Sequence, residues 1–164
     1  MFDTARDFGD SIALDFVRRI PVRPKGDVLE IACGTGVVTQ RLRARIDPLY
    51  RIVATDISEQ RLAVARENVK AKIDWRKADP AALPFKKESF GMVVCGQGVT
   101  SAPERQQLFA EARRVLVEGG SFFFNVWDDE ALIREHLNAV RFADVRVEPF
   151  PVGTHLIFVQ AKAV

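Results

Sequence analysis

Asp27-Val28-Leu29-Glu30-Ile31-Ala32-Cys33-Gly34-Thr35-Gly36 is the stretch that decides how the rest of the chain is read. Val28, Leu29 and Ile31 mark a short buried strand, and Ala32 to Gly36 make a turn of small residues. A helix follows at once, with Val38, Leu42 and Ile46 at i, i+4 and i+8. A strand that feeds a glycine-rich turn and then a helix forms a cleft at the carboxyl end of a parallel sheet. There the backbone can approach a ligand, and the first helical N–H groups are free to meet polar atoms. Glu30 puts a carboxylate just before the glycines. A pyrophosphate would want positive charge at this place, whereas a carboxylate suits a cationic ammonium. Thr39 also stands where the third glycine of G-x-G-x-x-G would fall.

The βα pattern continues outward from this turn. Arg51 to Thr55 reads as a second buried strand with Asp56 at its carboxyl end. Asp56 follows Gly34 at about the 20 residues that separate a glycine-rich turn from a ribose-binding acid. Ser58 is a suitable N-cap for a helix carrying Leu62, Ala65 and Val69. Ile73 to Arg76 reads as a third strand, and the Pro80 and Pro84 of the next segment make it a loop. Phe90 to Cys95 is the fourth strand and opens into Gly96-Gln97-Gly98. Pro103 starts a helix at its first position, and Gly119-Gly120 are expected to end it. Ser121 to Trp127 is strand five, and Asp128 or Asp129 can cap a helix bearing Ile133, Leu137 and Val140. Val145 to Glu148 and His155 to Gln160 are the last two strands. The connection Pro149 to Thr154 is too short for a crossover helix, so these two must be antiparallel. Upstream of the first strand, Ser11 to Ile20 reads as a short amphipathic helix stopped by Pro21 and Pro24, with residues 1–9 irregular.

Composition narrows the class. A chain of 164 residues is expected to form one domain with one three-layer core. Hydrophobic residues make up 48% and the net charge is +2, which gives no strong nucleic-acid signal. The basic cluster Arg18, Arg19, Arg23 and Lys25 reads as a solvated helix end. No apolar run approaches the ~20 residues of a membrane span, and MFDTARDFGD lacks the apolar core of a signal peptide. The chain has two cysteines and two histidines, scattered without metal-ligand spacing, so no metal site is expected. Cys33 and Cys95 read as small buried residues of a cytoplasmic protein.

The motif Glu30-x-x-x-Gly34-x-Gly36 within VLEIACGTG resembles the first motif of the class I S-adenosylmethionine-dependent methyltransferases. Leu83-Pro84-Phe85, Ser89-Phe90 and the segment EARRVLVEGGSFFF (111–124) resemble the branch related to quinone-biosynthesis methyltransferases. The likeness covers about residues 10 to 162. It implies a three-layer Rossmann-like α/β sandwich, with a mostly parallel seven-stranded sheet closed by an antiparallel C-terminal hairpin. It implies S-adenosylmethionine as cofactor and a small-molecule O, N or C acceptor methylated by in-line displacement. Glu30, Ala32, Gly34 and Gly36 would hold the amino-acid tail, and Asp56 the ribose hydroxyls. Ile57 would lie against the adenine, and Asp79 with Pro80 would meet its amino group. Cys95, the last residue of strand four, and Gln97, in the loop after it, fall where the methionine part and the acceptor come together. His155 is the candidate base, while Trp127 and Asp128 stand at the substrate end of strand five.

The chain departs from that family in four places. Val99-Thr100-Ser101-Ala102 follows strand four where relatives carry aromatic or acidic residues, and Gly91 stands where they often have an acid. The N-terminal lid and the insertion after strand five are short, which leaves room for a second copy to cover an open pocket. Two other readings stay open. One is a scaffold that keeps the fold without turnover. The other is an NAD(P)-dependent oxidoreductase, although the sole tyrosine, Tyr50, has no Tyr-x-x-x-Lys partner.

Overall fold

The structure is a computed structural model that describes residues 4–96, 98–99, 102–150 and 155–164, without the side chains of residues 4–7, 102 and 103. Helix α1 (Thr4–Arg18) precedes strand β1 (Val28–Glu30), helix α2 (Val37–Arg45), strand β2 (Ile52–Asp56), helix α3 (Glu59–Asn68) and strand β3 (Asp74–Lys77). Strand β4 (Phe90–Cys95), helix α4 (Ala102–Val115), strand β5 (Leu116–Trp127), helix α5 (Glu130–Ala139) and strands β6 (Phe142–Pro149) and β7 (Leu156–Ala163) complete the chain. The seven strands form one sheet in the order β3-β2-β1-β4-β5-β7-β6. β1 to β5 run parallel, while β7 is antiparallel to both β5 and β6. This is the sheet expected from the sequence. No helix among the described residues is long and apolar enough to cross a membrane.

Strand alternation sorts the core into two layers. Phe122 and Phe124 of β5 pack with Phe109 of α4, and Phe142 of β6 lies against Phe122. Phe123 turns to the opposite face, where it meets Phe158 of β7, and Phe158 in turn meets Phe16 of α1. Val28, Leu42, Ile46, Met92 and Val94 fill the same layer. Helix α1 is therefore a structural wall rather than a loose arm.

Two expectations are corrected here. The irregular stretch assigned to residues 1–9 gives way to helix from Thr4, so α1 starts seven residues before Ser11. Gly9 lies inside the helix, where an added Cβ would meet nothing within 4 Å, and a helical glycine costs only about 1 kcal/mol. Nor do Gly119-Gly120 end α4. The backbone N–H groups of Glu88 and Ser89 donate to the carbonyls of Arg114 and Val115, which stops that helix four residues earlier. Val117 to Gly120 then form an irregular excursion of β5, between the pairings Phe90–Leu116 and Met92–Ser121.

Gly91 has a packing reason. A Cβ there would come within 2.1 Å of the Gly26 nitrogen and 2.5 Å of the Lys25 carbonyl carbon. The backbone of the loop before β1 occupies the space in which an acid would stand.

Candidate functional site

The turn after β1 is built from left-handed backbone. Ala32, Gly34 and Gly36 have φ values of 55°, 56° and 87°. Gly36 caps α2 without any side-chain bond, and a Cβ on it would lie 2.9 Å from a Val69 methyl, so only glycine fits between α2 and α3. Cys33 N–H donates to the Thr55 carbonyl (2.9 Å) and Gly34 N–H to Asp56 Oδ2 (2.9 Å), which ties the turn to the tip of β2.

A cavity of about 750 Å³ opens beside this turn. Its floor is Glu30, Gly96 and Asn125, from β1, the end of β4 and β5. One wall is the turn with the first residues of α2, and the other is α1, through Ile12, Ala13 and Phe16. Asp10 and Arg41 form an ion pair at 3.5 Å among the residues that line it. The cavity therefore lies over the carboxyl ends of adjacent parallel strands, where α/β folds bind ligands.

Glu30 is 1% exposed, and its Oε2 has no hydrogen-bond partner. Burial raises its pKa from 4.5 to about 8; the neighbouring Thr39 hydroxyl opposes that shift in part, and the Asp56 charge adds to it. The ligand-free carboxyl is consequently protonated at neutral pH. A buried acid in a cavity, lacking a countercharge, is suited to a cationic group.

The other sequence candidates fall in three settings. Ala32 and Gly36 line the cavity with Glu30, and Gly34 lies in the same turn. Asp56 is buried but fully engaged. Its Oδ1 accepts from Ser58 N–H (2.9 Å) and pairs with the Arg61 guanidinium (2.9 Å), while Oδ2 holds Gly34. Ile57 is 54% exposed and lines a separate shallow depression with Ser58, Gln60 and Lys77. Asp79 is exposed and accepts from Ala81 N–H (2.8 Å), folding the Pro80 loop onto itself. The N–H of Ala78, just before it, donates to the Asp56 carbonyl, so the Asp79 loop hangs from the β2 tip.

Cys95 is completely buried in the opposite core layer, and burial pushes its thiol up to about 12. His155 is exposed beside the end of β5, where Trp127 pairs with Leu156. Gln97 lies outside the described residues. Asp128 is held below the usual carboxylate range by the N–H of Asp129 and by Arg105, which it meets at 2.6 Å.

Sequence reasoning passed over Asn125. It is 2% exposed, lines the cavity, and neither its Oδ1 nor its Nδ2 has a partner. The signal was present in FFFNVW, where a polar residue takes a core-facing turn of the alternation. Arg61 was also missed, because its reach to Asp56 depends on how the α3 N-terminus turns.

Comparison with known proteins identifies the family and the fold. The family described as a methyltransferase domain matches over residues 28–120. A demethylmenaquinone methyltransferase of Lactococcus lactis is 34% identical over 97 residues, which are 57% of this chain and 38% of the relative. A 2-phytyl-1,4-naphtoquinone methyltransferase of Thermosynechococcus vestitus is 33% identical over 100 residues, covering 59% and 44% of the two chains. The chain thus spans less than half the length of either relative. Among solved structures, a SAM-dependent methyltransferase of Thermotoga maritima superposes with a TM-score of 0.79 at 16% identity, over 96% of this chain and 90% of the other. The fold is shared over nearly the whole chain, while the family match spans β1 to the first part of β5.

Proposed function

Since the chain belongs to the methyltransferase-domain family, we propose that it binds S-adenosylmethionine and directs its methyl group to a small flat acceptor of the quinol type. The observation that carries this reading is Glu30, a buried carboxyl with one oxygen unpartnered on the floor of a large cavity beside a left-handed glycine turn. The cofactor fits that donor set, because its amino-acid tail carries an ammonium and its length needs a cleft open at a strand end. The cofactor supplies a methyl group already activated by a sulfonium. The protein's task is then to hold the acceptor in line and to exclude water.

Within this reading Glu30 takes the ammonium, with Ala32, Gly34 and Gly36 giving the tail close access to backbone. Asp56 meets the ribose hydroxyls in exchange for Arg61, and Asp79 with Pro80 borders the adenine across from Ile57. Cys95, the last residue of β4, leads the backbone into the floor at Gly96. His155 is the base for acceptors whose hydroxyl must lose a proton. The names of the curated relatives support a quinol-like acceptor. Helix α1 already walls the cavity, so the reading does not require a second copy to cover it.

Glu30 gives the test its sign. With its pKa near 8 in the free protein, Glu30 must release a proton before it can pair with an ammonium. Apparent affinity for S-adenosylhomocysteine should therefore rise about tenfold per pH unit up to about pH 8 and level off above it. Titration calorimetry at pH 7 in two buffers of different ionisation enthalpy should report net proton release. Glu30→Gln should abolish that release and weaken binding about 100-fold, the loss of a buried charged pair. Absence of binding at high micromolar ligand would remove the proposal.

A further inference from the structure

Among the described residues of the cavity floor, Asn125 is a side chain to which the cofactor reading gives no role. Its neighbours in β5 show how it is held. Phe122, Phe124 and Val126 all point to the α4 face and are buried, while Phe123 and Asn125 point to the α1 face. The backbone N–H of Asn125 donates to the Gly96 carbonyl at 3.3 Å, so the strand itself is paired. The side chain is not. A buried amide with both ends unpaired is destabilising, and a leucine of similar size would remove that penalty. A polar group kept at such a position faces something that completes its hydrogen bonds.

The chemistry of that partner can be read from the surroundings. β1, β4 and β5 are successive neighbours in the sheet, with Glu30, Val94 and Phe123 in register; strands about 4.8 Å apart and a rise of about 3.3 Å per residue set the Asn125 backbone roughly 12 Å from that of Glu30 across the floor. The cavity thus has two polar stations, an acid at one side and a neutral amide at the other. An amide offers one acceptor oxygen and donor hydrogens but no charge, so it matches a neutral hydroxyl or carbonyl. Opposite it stand the buried apolar side chains of Ile12, Ala13 and Phe16 of α1. An apolar wall facing a single amide accommodates a flat ring that carries one oxygen.

We infer that Asn125 is the acceptor-positioning residue, whose amide hydrogen-bonds a ring hydroxyl or carbonyl of the methyl acceptor and so selects which ring atom faces the methyl group. The inference rests on the methyl-donor reading above, and its test separates the two. Binding of 1-naphthol and of naphthalene is measured by ligand-observed NMR on the full chain, with and without saturating S-adenosylhomocysteine. Affinity for S-adenosylhomocysteine is measured in parallel by calorimetry. The wild type should prefer 1-naphthol over naphthalene about tenfold, the effect of one hydrogen bond in a dry site. Asn125→Ala and Asn125→Leu should each bring that ratio near one and leave S-adenosylhomocysteine affinity within about twofold, by the same reasoning. Asn125→Leu fills the side-chain volume, and its melting temperature should equal or exceed that of the wild type, so a poorly folded alanine variant would not stop the experiment.

A wild type with no preference for 1-naphthol overturns the inference, as does a preference that persists in Asn125→Leu. A loss of S-adenosylhomocysteine affinity in Asn125→Leu as large as the loss of 1-naphthol affinity assigns the amide to the cofactor and overturns it too. Failure of the wild type to bind S-adenosylhomocysteine, with the 1-naphthol preference intact, brings down only the methyl-donor reading.

Discussion

Glu30 and Asp56 end neighbouring parallel strands, and both are nearly inaccessible to solvent. They nevertheless stand in opposite chemical situations. Asp56 is surrounded by donors: the N–H of Gly34, the N–H of Ser58 and the guanidinium of Arg61. Glu30 faces a cavity with one oxygen unpartnered, and burial keeps it protonated to about pH 8. Two carboxylates that look alike in sequence therefore do different work in the free protein. Asp56 fastens the glycine turn to the sheet, and Glu30 is left for a ligand. The comparison teaches that a site acid is recognised by the partners it lacks.

The largest effect that would break the comparison is the pH dependence of stability. The pKa of Glu30 is raised on folding from 4.5 to about 8, so between those values the native state holds a proton that the unfolded chain has released. Its contribution is fully present below pH 4.5 and is lost as pH rises toward 8, at about 1.4 kcal/mol per unit. The total difference across the window is about 5 kcal/mol. Urea unfolding of wild type and Glu30→Gln, compared at pH 5 and pH 8, should show it. The variant should gain on the wild type as pH rises, and parallel curves would mean that Glu30 has a partner after all.

The next effect concerns the other acid. Asp56→Ala removes an acceptor from two backbone donors and from Arg61, which should cost about 2–3 kcal/mol in urea unfolding. Glu30→Ala should cost less at pH 8, where the wild type carries the ionisation penalty. Equal losses for the two variants at that pH would erase the distinction between fastener and ligand acid.

How far this contrast could be read from sequence depends on whether the cause was local. The β1 strand, its glycine turn and the α2 stripe of Leu42 and Ile46 were legible, because apolar spacing and turn chemistry are written within about ten residues. Glu30 was legible for the same reason. The end of α4 was not, since it is set by Glu88 and Ser89 donating from a distant loop. Nor was the need for Gly91, which comes from the Lys25–Gly26 backbone lying across it. The hairpin of β6 and β7 was expected, but each strand runs several residues beyond the sequence boundaries because mutual pairing extends it. Asn125 was visible as a polar residue in an apolar alternation. Its meaning needed the packing of α1 over β5, a tertiary contact that no local pattern carries even though Ile12, Ala13 and Phe16 fall within the helix read from Ser11.

The smallest effect tests whether Asp56 can change duty when a ligand arrives. Arg61 is half exposed, and its pairing with Asp56 is screened by water, so Arg61→Ala should lower stability by less than about 1 kcal/mol. The same guanidinium occupies the Oδ1 that a ribose hydroxyl would need, alongside the Ser58 N–H. Removing it should therefore tighten S-adenosylhomocysteine binding by a few-fold while leaving its proton release unchanged, because that release belongs to Glu30. Calorimetry on Arg61→Ala reads both quantities in one titration. Weaker binding instead would mean that the cation itself contacts the ligand. The division of labour would then run between Glu30 and an Asp56–Arg61 pair acting together, with Arg61 rather than the bare carboxylate presented to the nucleoside.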